Sequence, residues 1–177
     1  MDRGGPSPLS SCFLVSFNST NTTALLLVCI NRFPTRLLLE ENGIEATGSL
    51  STFPALGEPS AVANLINLRR EREKPGMSST QLVQGSISVS PDGKDLMFKL
   101  KTEIDVQKPE LLMEQSGINQ LFRITSAKAS LRANDGNIMA VFASALEQDF
   151  NGPDGEALQE AVSSFQALDQ STVVAAF

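Results

Sequence analysis

The chain has 177 residues, the length of a single domain, and can bury roughly 70% of the surface its unfolded form exposes. With 41% hydrophobic and 19% charged residues it fits neither a disordered nor a coiled-coil class, and no run approaches the ~20 apolar residues of a membrane span, which predicts a soluble protein. A net charge of −6 disfavours nucleic acid as partner, and the complete lack of histidine removes Ser-His-Asp and Cys-His catalysis, so neither an enzyme nor a cofactor is expected.

Residues 1–11, rich in Gly, Pro and Ser, read as an irregular tail. They have neither the basic and apolar regions of a secretory signal nor the Arg-rich amphipathic character of a transit peptide. Two readings stay open: a cytoplasmic protein, or a numbering that starts after a removed targeting segment. The apolar runs Cys12 to Phe17 and Ala24 to Ile30 flank a polar segment, Asn18 to Thr23, which is a hairpin signal. From 31 to 57, Pro34, Gly43, Gly48, Pro54 and Gly57 break any long element. Arg36 to Glu40 is expected to form a short edge strand, turned by Asn42-Gly43.

A helix is predicted from about Pro59 to Lys74. Proline suits a first helical position because its missing N–H has no partner there. Val62, Leu65, Ile66 and Arg69 share one face, Ala61 and Leu68 widen it, and Pro75-Gly76 stops the helix. Residues 79–106 read as a second hairpin. Setting Ser90 opposite Asp95 puts Val89 against Leu96, Ile87 against Phe98 and Gly85 against Leu100, with Lys99, Lys101, Glu103 and Asp105 on a wet outer face. Lys108 to Gln120 holds a short helix begun by Pro109 and interrupted by Gly117.

A third hairpin follows, Leu121 to Ala133 and Asn137 to Glu147, with Asp135-Gly136 as a type I′ signal. Facing Asn134 with Asn137 puts Leu131 against Ala140, Ala129 against Phe142 and Ala127 against Ser144. These small residues leave room for a final helix, Pro153 to Leu168, whose Leu158, Ala161, Val162, Phe165 and Leu168 recur at helical spacing. Hairpins with helices inserted between them indicate an α+β fold, an antiparallel sheet built from hairpins and sandwiched by helices. One domain spans 12–168, followed by a C-terminal extension, 169–177.

Four segments in this order carry a resemblance. Phe13 to Asn21 with Leu25 to Val28 looks like an opening hairpin, and Leu56-Gly57-Glu58-Pro59-Ser60-Ala61-Val62-Ala63 like the start of a first helix. Leu82 to Leu100 is similar to paired strands around an Asp-Gly turn, and Phe142 to Phe165 to a closing strand and terminal helix ending Ser-Phe. Together they resemble the PsbP and PsbP-like family of thylakoid lumenal proteins over most of residues 12–168. The resemblance implies an α-β-α sandwich and a non-catalytic role on the lumenal side of a photosystem. Family members bind there, retain inorganic cofactors of oxygen evolution such as calcium, or assist assembly. Met97 and Phe98 stand where the family's middle hairpin commonly has tyrosines, histidines tied to metal binding have no counterpart, and the charge is acidic. A PsbP-like subunit of the chloroplast thylakoid lumen is therefore favoured over the oxygen-evolving PsbP itself. A small-molecule-binding module is the alternative.

Cys12 and Cys29 are the only cysteines. Pairing Phe17 with Ala24 sets them opposite each other, which suits a disulfide in an oxidising lumen and equally two buried thiols. Arg69, Arg70, Arg72 and Lys74 form the densest cationic cluster, either a docking patch or a solvated helix end. The apolar end Val173, Val174 and Phe177 is expected to anchor on a neighbouring subunit or to fold back as a further strand. Asn18-Ser19-Thr20 and Asn21-Thr22-Thr23 match a glycan acceptor pattern but read as turn residues in a plastid protein. Asp92, Asp95, Asp135, Asp149 and Asp154 match no calcium loop.

Overall fold

Alternating apolar runs pair across the first hairpin in the register that the sequence predicts. The computed structural model describes residues 10–19, 22–45, 50–72, 79–132 and 136–167, with the backbone alone for those up to residue 27. Strands β1 (Ser10–Ser19) and β2 (Thr22–Pro34) run antiparallel, with Phe17 opposite Ala24 and Cys12 opposite Cys29. From Leu27 to Pro34, β2 also pairs with β7 (Asn137–Leu146). Beyond β7 come β6 (Leu121–Arg132), β5 (Asp95–Ile104) and β3 (Thr80–Leu82), while β4 (Ser88–Val89) also pairs with β5. Every pairing is antiparallel.

Period-two alternation sends each strand's side chains to opposite faces, and helices pack on both. On one, Phe33, Leu96, Phe98, Leu100, Ala129, Ile138 and Phe142 pack under Leu38 and Leu39 of α1 (Thr35–Glu40), Phe53 and Leu56 of α2 (Phe53–Leu56), and Val62, Ala63 and Ile66 of α3 (Pro59–Arg72). Phe98 and Phe142 meet edge to face at its centre, ring centroids 6.3 Å apart. On the other face, Ile124, Val141, Ala143 and Ala145 pack under Phe150 of α5 (Glu147–Phe150) and Leu158 and Val162 of α6 (Pro153–Ser164). The expected α+β sandwich is what forms. No helix among the described residues is long and apolar enough to cross a membrane.

Several local expectations are corrected. Arg36 to Glu40 lies in helix α1, because Thr35, Leu38 and Leu39 recur at helical spacing and bury together. Asn42 and Gly43 close that helix instead of turning a hairpin: the Asn42 side chain donates to Leu38 O at 2.7 Å and Ile44 N to Leu39 O at 3.0 Å. In the second hairpin, Val89 faces Leu96 as expected, but Leu82, not Gly85, faces Leu100. Ser86 causes the slip. Its hydroxyl donates to Val83 O and accepts from Lys99 N, standing in for a strand carbonyl.

The third hairpin closes earlier than expected, with Arg132 opposite Asn137, so Ala127 faces Phe142 and Ala129 faces Ala140. Gly136, at φ +62°, donates its N–H to Arg132 O. Ala127, Ala129 and Ala140 lie in the cluster under α1–α3, and α6 covers the opposite side because α5 carries the chain over Ala143 and Ala145. Helix α6 ends at Ser164, leaving Ala161 exposed and Phe165 half-buried. The buried stripe of α3 is Val62, Ala63, Ile66, Asn67 and Arg70, rotated from the expected one, with Leu68 exposed. Short helix α4 (Pro109–Ser116) ends at Gly117 as expected, with Leu111 and Met113 exposed.

Candidate functional site

Successive helical residues point about 100° apart, so the cations ending α3 cannot share a direction. Arg69 Nη1 donates to both carboxylate oxygens of Glu41, at 2.8 and 2.7 Å, tying α3 to the end of α1. Arg72, 56% exposed, lies 3.6 Å from the same carboxylate. Arg70 turns inward and is only 2% exposed. The predicted patch therefore divides, and Arg70 is withdrawn from any docking surface. Lys74 and the apolar residues Val173, Val174 and Phe177 lie outside the described residues.

Arg70 was open to detection in the sequence, since it follows Val62, Ala63 and Ile66 at helical intervals; Leu65 and Leu68 drew the stripe to the wrong side. Its guanidinium carbon lies 4.7 Å from the centroid of the Phe142 ring. Nε and Nη1 have no hydrogen-bond partner among the described residues. One turn earlier, Asn67 Nδ2 donates to Glu71 Oε1 at 3.2 Å, while its buried Oδ1 has no donor among the described residues. The next row of the sheet beyond Phe142 is polar, Thr125 and Ser144 sharing a buried hydrogen bond of 2.9 Å between their hydroxyls. Arg123 follows on the same face of β6. Burial is the main cause lowering the Arg70 pKa; Glu71 opposes this and the charge of Arg123 adds to it. The outcome is an apolar corner with a polar floor and a buried cation that has no acceptor at two of its nitrogens.

No protein-family model matches the chain, and no curated protein matches it significantly. Geometry alone must then identify what the surface can do.

On the other face, α6 leaves β5 uncovered, and a groove of about 420 Å³ runs between them. Ser86, Ser88, Met97, Lys99 and Ser126 line it from the sheet, with Gln159, Glu160 and Ser163 from α6. Buried Lys128 closes the end of α6, its Nζ donating to Ser163 O at 3.0 Å and Phe165 O at 2.7 Å, beside Asp95 at 3.3 Å. The face expected to be wet is half-covered: Lys99 sits 5.3 Å from the Phe150 ring, and Lys101 pairs with Glu147 at 2.6 Å.

The aspartates do local work. Asp92 accepts from Ser90 Oγ at 2.5 Å and Lys94 N at 3.2 Å, and Asp95 from Ser130 Oγ at 2.6 Å. Asp135 lies outside the described residues. Among the described residues no three acidic or cysteine side chains are grouped to hold a metal ion. Cys29 is buried and is not a free thiol; Cys12 is its backbone partner in the hairpin. Asn18 lies within β1, and Asn21 is outside the described residues.

Proposed function

We propose that this chain is a PsbP-like accessory subunit or assembly factor, acting without chemistry on the lumenal side of a photosystem or related thylakoid complex. The architecture carries the reading: an antiparallel sheet of hairpins with helices on both faces, in the order that the resemblance implies. The quoted segments lie on elements of the kind that the resemblance implies. Residues 13–19 and 25–28 lie on the paired strands β1 and β2, Pro59 opens α3, Leu82 and Leu100 face each other, and Phe142 to Phe165 runs from β7 through α6.

Attachment would be peripheral and through protein contacts. In solubilised thylakoids the chain should comigrate with one membrane complex on a native gel, and deleting 171–177 should release it without lowering its melting temperature. A chain recovered only in the soluble stroma ends this reading. The small-molecule alternative rests on the groove beside α6, whose hydroxyl-rich, open lining departs from the closed apolar pocket such a module uses.

A further inference from the structure

Charged side chains are almost never fully buried unless paired, and an unpaired buried donor calls for an explanation. Arg70 is such a case, at 2% exposure with Nε and Nη1 unpartnered among the described residues. The Phe142 ring contacts the guanidinium but supplies no oxygen to either nitrogen. Glu71, the adjacent carboxylate, is hydrogen-bonded by Asn67 and offsets part of the Arg70 charge, while a second cation, Arg123, acts on it from the same face of the sheet. Two cations thus face one carboxylate at this corner, and one of the two is buried. The Thr125–Ser144 hydroxyl pair lies in the row between Phe142 and Arg123, and Arg123 is only partly buried.

We propose that Arg70 and Arg123 form the charged wall of a binding site for a small oxyanion, a carboxylate or phosphate group, seated beside the Thr125–Ser144 pair. Planar guanidinium groups match both oxyanions, and a buried one loses less to competing water. This inference stands apart from the lumenal reading, since the site faces α3 and needs no partner.

The test follows the melting temperature of the full chain during titration with sodium phosphate or sodium acetate, against sodium chloride at equal ionic strength. A saturable rise with phosphate or acetate, but not chloride, is expected, because a ligand that binds only the folded chain stabilises it. The more effective anion identifies the group. Arg70→Met, an apolar side chain of similar length, should abolish the rise. Arg123→Gln should weaken binding by about tenfold, the loss of one charged hydrogen bond. No saturable rise in the wild type, or an equal rise in Arg70→Met, overturns the proposal. Should Arg70→Met fail to fold, Arg123→Gln decides: unchanged affinity overturns it.

Discussion

Replacing glycine by alanine inside a helix ordinarily gains about 1 kcal/mol. At Gly155 the sign reverses, because a Cβ there would lie 1.8 Å from Phe150 O and 2.4 Å from its carbonyl carbon. The start of α6 rests on the backbone of α5, and only a residue without a side chain allows it. Gly155→Ala should cost about 2–3 kcal/mol in urea unfolding, the range of an overpacked core. The aromatic core gives a second expectation. Phe142, 1% exposed and in contact with both Phe98 and Arg70, should cost about 3–5 kcal/mol when replaced by alanine. Phe165 lies past the end of α6 and is half-buried, so Phe165→Ala should cost clearly less in the same unfolding series. The sequence placed Phe98, Phe142, Leu158 and Phe165 in the core; the first three are there, and Phe165 is not fully buried because α6 stops at Ser164. It could not place Phe53, which is fully buried although it sits in a Pro- and Gly-rich stretch; its N–H donates to Gly93 O at 2.7 Å, a long-range contact that no local pattern announces.

Elements with a proline at the start and a glycine or polar stop were legible: α3, α4 and α6 begin at Pro59, Pro109 and Pro153. Elements set by side-chain mimicry of the backbone were not, as Ser86 at the β3–β4 break and Asn42 at the end of α1 illustrate. The same mimicry makes two elements sensitive to acid. Glu58 accepts from the Ser60 hydroxyl and from Ala61 N at 3.0 Å, capping α3; Asp92 accepts from Ser90 and Lys94, holding the turn before β5. Both folded pKa values are lowered, chiefly by the serine hydroxyls. A lowered folded pKa contributes stability that is present above the unfolded value, about 4, and is lost as pH falls through the folded value. The melting temperature should therefore hold from neutral pH down to about 4 and decline below it. Glu58→Gln with Asp92→Asn should flatten that decline; an unchanged acid limb would remove both caps from the account.

At the scale of the whole molecule, hairpin order was enough to read an antiparallel sheet between helices, because each strand's alternation commits one face to each layer. Which layer each helix covers was not readable: α6 reaches its side through α5, whose four residues carry no periodic signal. The sheet also has two unlike edges. One is β5 with the fragments β3 and β4, and the other is β1, a strand that pairs only with β2 among the described residues. A long edge strand invites unwanted pairing and fraying unless something secures it. The backbone register puts Cys12 opposite Cys29, and Cys29 reaches into the core beneath the helices at 1% exposure. A bond between them would fasten the edge strand to the buried framework. Closing a loop of this size is worth about 3 kcal/mol when the denatured chain is otherwise unconstrained. Protein isolated without reductant should then be lighter than the reduced chain by two hydrogens, and reduction should lower its melting temperature. Hydrogen exchange should locate the loss, with faster exchange in β1 and the first half of β2 and little change in β5 and β6. Two alkylatable thiols in native material would remove the staple and, with it, the support that an oxidising compartment gives to the lumenal reading.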